Sequence, residues 1–534
     1  MLKKFPQVTE YLGVPYAKPP IGNLRFMPPE PLTKEYFKKP FVANKLANTC
    51  YYVKRETGIK GFDDWNPKKL NMSEDCLQLN MWVPKRKNGA VLVFLFGGKY
   101  SHGSPSLDFY DGSALAMKTG MVVVTLNYRI GVLGFAYMNS GKLVPGNMGL
   151  LDQQLGLKWV HDNIKYFGLK KPKITLFGQG TGASSATAHM FSPVSKKYFH
   201  RIIAESGTVF HRWATEKASL IRENFDTLLS KFKCQQEKAK DKLKCIQAVN
   251  VKELVREAEK IRNPKQAVTV GAFLPVRIDS VFFNDNITHL ITHHEYKKHI
   301  DIMLGKTTHE ASSVMVEGLN NDVYGCKFDP KKELESKYNQ CNINGTQYER
   351  ILKLVCHDHN LKNEAVEFIK KVYKGISKKI KRDAALRVIS DYGFDCDMNK
   401  FGRYLERLIG NKYFYVFSAR SSITPWPKWM GSVHRYPLLY HFGYPFTHPE
   451  MYEKRQLKKE QTLSENVMKV LSKFAVEGRL PKQWKQFSDE KMNSLVIKKD
   501  FSLKKMGKII NVDTEECMKY EEALRKFGKL EDNF

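Results

Sequence analysis

The sequence predicts an α/β fold, one large domain in which a mostly parallel, twisted sheet is covered by helices on both faces. Three observations predict it. Two apolar runs, "VLVFLFGG" from 91 and "MVVVTLNYRIGVLGF" from 121, lead into glycines, as buried strands do where they enter a loop. A helix-periodic stretch follows the second run. A third run, "KITLFGQGTGASSATAHMF" from 173, turns through glycines into a small-residue helix. Strands alternating with helices require parallel pairing, because each crossover must return the chain to the same end of the sheet. Candidate sites are then expected at strand-to-loop ends, where open α/β sheets hold their ligands.

The helix between the second and third runs, "NMGLLDQQLGLKWVHDNIKYF" from 147, places Leu150, Leu157, Val160 and Ile164 on one face. Leu151 and Leu155 lie beside them, and Gln154 is the polar gap. Residues 212 to 265 and 345 to 390 are Lys/Glu-rich and read as helices over the mouth of the sheet. Within the second segment "KKVYKGISKKIKR", 370 to 382, carries seven positive charges and no acid. It reads as a solvated helix face or as a site for an acidic polymer.

The third run holds the motif that carries chemistry. A sharp strand-to-helix turn of the form G-x-S-x-G presents a nucleophilic serine at the top of an α/β-hydrolase sheet. Here the five positions are Gly178, Gln179, Gly180, Thr181 and Gly182, so glycine stands where the nucleophile belongs. Glycine also avoids the backbone strain that this turn imposes on other residues. Thr181 is not expected to replace the serine, since the residue after the nucleophile contributes its backbone N–H and its side chain points elsewhere. Ser184 and Ser185, further into the helix, read as small packing residues.

Charge and length bound the rest. The 534 residues contain 87 Lys+Arg and 55 Asp+Glu, a formal charge of +32 that favours an acidic partner: protein, glycosaminoglycan, anionic membrane surface or nucleic acid. No stretch is apolar for long enough to span a bilayer. CxxC zinc spacing and a Walker-type phosphate loop are absent, and neither metal nor cofactor is expected. Nine cysteines and the sequons at Asn71, Asn286 and Asn344, candidate glycosylation sites, suggest a secreted chain. Residues 1 to 20 lack the apolar core of a signal peptide, so the N-terminus is expected to be truncated.

"YLGVPYAKPPIGNLRFMPP", "MSEDCLQLNMWVP", "NYRIGVLGF", "GNMGLLDQQLGLKWVHDNI" and "SPVSKKYFHRIIAESGT" together resemble the type-B carboxylesterase and cholinesterase family, over about residues 8 to 525. The resemblance implies an α/β-hydrolase fold forming one carboxylesterase domain over 1–534. It implies an acid in "GKTTHEASS", Glu310, and a base in "WPKWMGSVH", His434. The oxyanion-hole positions fall on Gly98, Lys99 and Thr181, with lysine replacing the last glycine of the loop and its side chain expected to fill the site. Gln179 stands where cholinesterases carry a glutamate. Trp65 matches the choline-stacking tryptophan and is a gorge candidate; because Ser313 falls near a position that is aromatic in cholinesterases, packing is its expected role.

The resemblance also implies disulfides Cys50–Cys76, Cys234–Cys245 and Cys396–Cys517, leaving one pair and one free thiol among Cys326, Cys341 and Cys356. Ion pairs Arg25–Glu74 and Arg129–Asp152 follow from it too, and dimerisation is possible. With glycine at 180, as in some neuroligins, the expected function is that of a non-catalytic, secreted or cell-surface binding protein. The alternative is a weak ester hydrolase in which His434 activates water.

Overall fold

A computed structural model describes residues 5–33, 36–67, 71–405, 407–488 and 490–529. Ten strands among them form one sheet: β1 (Val8–Pro15), β2 (Gln78–Pro84), β3 (Ala90–Leu95), β4 (Val122–Leu126), β7 (Lys173–Gln179), β8 (Arg201–Glu205), β9 (Asp301–Thr307), β10 (Lys412–Phe417), β11 (Asn493–Ile497) and β12 (Ile509–Asn511). A separate ribbon pairs β5 (Tyr137–Met138) with β6 (Val144–Pro145). The spatial order is β1-β2-β4-β3-β7-β8-β9-β10-β11-β12. From β4 to β11 every neighbour is parallel, while β1, β2 and β12 pair antiparallel at the margins. This is the α/β-hydrolase architecture.

The uninterrupted apolar runs have the expected cause. β3, β4 and β8 are buried at every position, so alternate side chains are covered on both faces of the sheet. The flanking helices include α1 (Met148–Asn163), α2 (Thr181–Ala188), α3 (Ala218–Lys231), α4 (Ala239–Ala248), α5 (Val251–Lys260), α6 (Gly345–Asp358), α7 (Ala365–Val372), α8 (Lys374–Ser377), α9 (Lys381–Ser390) and α10 (Lys454–Glu477). On α1, Leu150, Leu157, Val160 and the following Ile164 are buried, and Gln154 donates to Ser192 and Ser195. Helices α6 to α9 pack with Trp426, Met430 and Val433 in a second apolar cluster, which holds the loop leading to His434.

Two ion pairs are built into the fold. Arg129 grips the fully buried Asp152 through Nε and Nη2 at 2.8 and 2.7 Å, and its backbone N–H adds a third bond at 3.0 Å. Arg25 grips Glu74 at 2.6 and 2.7 Å and also donates to the carbonyls of Gln247 and Val249. The disulfides Cys50–Cys76, Cys234–Cys245 and Cys396–Cys517 are formed. Of the three unassigned cysteines, Cys326 bonds Cys341 and Cys356 stays free in the core. No helix among the described residues is long and apolar enough to cross a membrane.

Burial pushes the Cys356 thiol up to about 11, so it is both covered and protonated at neutral pH. Titration with a thiol reagent is therefore expected to find no reactive cysteine in the native protein and one per chain, Cys356, in denaturant without reductant. Two or more further thiols would contradict the bonded pairs.

Candidate functional site

β7 ends at Gln179, paired with Glu205 at the end of β8, and the chain then turns through Gly180 into α2. Gly180 has φ 58° and ψ −122°, a conformation that costs a residue with a side chain roughly 1–3 kcal/mol and glycine little. Its N–H donates to the Glu205 carbonyl at 2.8 Å, and its own carbonyl accepts from Ala183 and Ser184. A Cβ built at 180 would lie 3.3 Å from His434 Nε2, so the turn still aims position 180 at the histidine. The flanking glycines are required by contact: a Cβ at 178 would meet the Gly182 carbonyl oxygen at 2.1 Å, and one at 182 the Leu95 oxygen at 2.0 Å.

Glu310 and His434 come together, 124 residues apart in sequence, because β9 runs parallel to β8 and a bridge joins His309 to Val433. Glu310 is 1% exposed. Its Oε2 lies 2.6 Å from His434 Nδ1, while Oε1 accepts from Ser206 Oγ at 2.7 Å and the Thr307 N–H at 2.6 Å. Burial alone would raise the carboxyl, but the bond from His434 and the other two donors hold it below the usual carboxylate range. Glu310 is thus ionised and fixes the ring with Nδ1–H toward itself. On the other side of the ring, Gln179 Nε2 lies 3.0 Å from His434 Nε2 and donates its amide N–H to that nitrogen's lone pair. Ser206, absent from the sequence candidates, directly follows β8 in "AESGT"; only its pairing across the sheet reveals its part.

Thr181 Oγ1 points away from the position opposite His434: it accepts from the Gly98 N–H at 3.1 Å and the Tyr100 N–H at 3.4 Å, placing a hydroxyl on an amide of the glycine loop after β3. Contrary to expectation, the Lys99 side chain does not fill the site. It reaches outward to Glu317 at 2.8 Å, both ends half-exposed, while Lys99 and Tyr100 each adopt φ 56°. Ser184 and Ser185 are buried, and Tyr100 Oη bonds both.

Trp65 is buried against Phe109, Tyr110 and Tyr436, with ring centroids 4.5, 6.1 and 6.1 Å away. The guanidinium of Arg435, next to the histidine and held at φ 76°, lies 5.8 Å from the Trp65 ring centroid. The indole face thus already carries a cation from within the chain. Ser313 sits half-buried at the start of the helix Ser312–Leu319.

Behind the elbow lies a group that sequence reasoning missed. Glu205 is fully buried, accepts from Tyr415 Oη at 2.7 Å and faces His441 Nδ1 at 3.4 Å. Burial pushes its carboxyl up to about 8, partly offset by the Tyr415 bond and reinforced by the Glu310 charge; burial likewise drives His441 down to about 3. Of the candidate glycan acceptors, Asn71 and Asn344 are exposed and Asn286 is half-buried, and Asn286 and Asn344 also cap helices through Oδ1. The only close group of three possible metal ligands among the described residues is Asp391, Cys396 and Cys517, and its two sulfurs are joined as a disulfide.

A profile described as the Carboxylesterase family matches residues 1–516. Among similar proteins, the cholinesterase of Mus musculus is 35% identical over 477 residues, covering 88% of this chain and 75% of that protein. The acetylcholinesterase of Danio rerio is 31% identical over 531 residues, covering 90% and 80%. That of Electrophorus electricus is 32% identical over 509 residues, covering 88% and 76%.

The Glu205 carboxyl sets a pH dependence of stability. Its folded value of about 8 lies above the ordinary 4.5, so its contribution is complete below about pH 4.5 and is lost as pH rises through 8. Glu205→Gln, which cannot ionise, should remove this loss. Urea midpoints at about pH 5 and about pH 8 should fall further for the wild type than for the variant, by up to about 1.4 kcal/mol per pH unit within that window. Equal falls would show that Glu205 ionises normally.

Proposed function

The chain belongs to the carboxylesterase family, and from that premise we propose that it is a non-catalytic member, an extracellular cholinesterase-like binding protein. One observation carries the reading. Opposite His434 Nε2 stands Gly180, and the nitrogen that would take a nucleophile's proton already accepts from Gln179. Acyl transfer on this fold needs an Oγ that attacks the carbonyl while the histidine takes its proton and the carboxylate orients the histidine. Here the orienting bond exists and the attacking atom does not.

Nearby hydroxyls offer no substitute. Thr181 is held by the Gly98 amide, Ser206 lies on the far side of Glu310, and Ser184 and Ser185 bond Tyr100. Removing a triad serine costs about 10⁶ in kcat in the one protease where all members were deleted, with the residue left to oxyanion hole and binding. Thr181 Oγ1 on the Gly98 N–H weakens that remainder as well. The water-activating alternative requires a free Nε2 lone pair, which the Gln179 amide occupies. A choline headgroup would compete with Arg435 for Trp65. Four disulfides support an oxidising compartment, and the charge of +32 supports an acidic partner met at the surface.

The purified protein is expected to turn over neither p-nitrophenyl acetate nor acetylthiocholine at an ordinary enzymatic kcat of about 1–10³ s⁻¹. Such turnover, abolished by His434→Ala, would overturn the reading. The triple variant Gln179→Ala, Gly180→Ser, Thr181→Ala frees the Nε2 lone pair, returns an Oγ opposite it and frees the Gly98 N–H, so it should show a near-stoichiometric burst with p-nitrophenyl acetate and none with acetylthiocholine.

A further inference from the structure

Folding concentrates charge that the linear sequence leaves divided. Between α6 and the run α7–α9 lies a groove of about 720 Å³, lined by seven basic and two acidic side chains. Arg350 and Lys353 come from α6, outside the 370–382 run, and face Lys371, Lys374, Lys378 and Lys381 across it. The two acids, Glu349 and Glu367, are engaged by Lys353 and Lys370 at 3.1–3.8 Å. Lys371, Lys374 and Lys378 are exposed, and no carboxylate of the described residues lies within ion-pair distance of them. Arg382, in contrast, is not part of a solvated face. It pairs with Asp383 at 2.8 Å, donates to the Gln340 carbonyl and lies over the Trp429 ring, so it belongs to the fold.

We propose that this groove binds a linear sulfated polysaccharide, resting on the acidic-partner reading above and locating it. Like charges drawn to one concave surface repel each other unless a polyanion lies between them, and binding releases its counterions. The basic lining is six ammonium groups and one guanidinium, and that guanidinium, Arg350, already donates to the Val323 carbonyl. Ammonium groups are mobile point charges that suit sulfates and carboxylates spread along a flexible chain. The lining's only ring, Tyr348, is buried with Lys381 above it, so no aromatic face is open for stacking nucleobases. The groove also lacks an exposed apolar side chain of the kind a membrane-inserting surface uses.

The test measures binding of a heparin octasaccharide to the intact protein by titration calorimetry at about 0.15 M salt. Three proteins are compared: wild type, Lys371→Ala/Lys374→Ala/Lys378→Ala/Lys381→Ala, and a control with alanine at the exposed, dispersed Lys39, Lys170, Lys458 and Lys499. The groove variant should bind roughly tenfold or more weakly and show a shallower salt slope, the control about twofold or less. The same four positions changed to arginine should keep binding, which separates charge from folding damage. No wild-type binding to heparin overturns this site; if polyglutamate, homopolymeric RNA and phosphatidylserine vesicles also fail to bind the wild type, the acidic-partner reading falls with it. Wild-type binding weakened equally by both alanine variants overturns the site alone. Tighter binding of a homopolymeric RNA or of phosphatidylserine vesicles than of heparin, lost in the groove variant, overturns the choice of ligand.

Discussion

A carboxylate sealed from water cannot stay charged unless its oxygens are bonded, and around Glu310 that requirement organises the top of the sheet. Ser206 from the end of β8, Thr307 from the end of β9 and His434 from a loop 124 residues further on all converge on it. Leaving a buried polar group without its hydrogen-bond partner typically costs about 1–3 kcal/mol, and more for a charged one. Glycine at 180 carries no such cost, since it accepts the φ of 58° readily. The turn at Gly180 and the Glu310–His434 pair are therefore held by separate sets of contacts. In this chain the Glu310–His434 pair is a structural element in its own right.

Around that pair, neighbouring side chains within the chain engage one another. Thr181 supplies an oxygen to the Gly98 amide, Gln179 supplies an N–H to His434, and Arg435 supplies a cation to Trp65. Lys99 and Arg435 both hold positive φ, and each side chain finds a partner, Glu317 and Trp65. The engagement is incomplete: Gln179 Oε1 and Thr307 Oγ1 are buried beside these groups without a hydrogen-bond partner among the described residues.

At the surface, charge does little for stability. Exposed ion pairs contribute about 0–1 kcal/mol each, and the cations here outnumber the anions by 87 to 55. The groove between α6 and α7–α9 shows what the fold adds, bringing bases from two stretches of sequence around one concavity.

The sequence alone determined the elements that short-range pattern encodes. Continuous apolar runs marked β3, β4 and β7, 3.6-residue spacing marked α1, and the glycines at 178, 180 and 182 marked the turn from β7 into α2. Motif resemblance added Glu310, His434, three disulfides and the Arg25 and Arg129 pairs. Other features were decided only by tertiary structure: the Gln179–His434 bond between residues 255 apart, the Ser206–Glu310 bond between residues 104 apart, Arg435 over Trp65, the buried Glu205, and Cys326 rather than Cys356 as the partner of Cys341. Side-chain periodicity records which face of an element is buried. It carries no record of which residue stands opposite once parallel strands set the register, and hydrogen bonds, ion pairs and pKa shifts depend on ångström distances across that register.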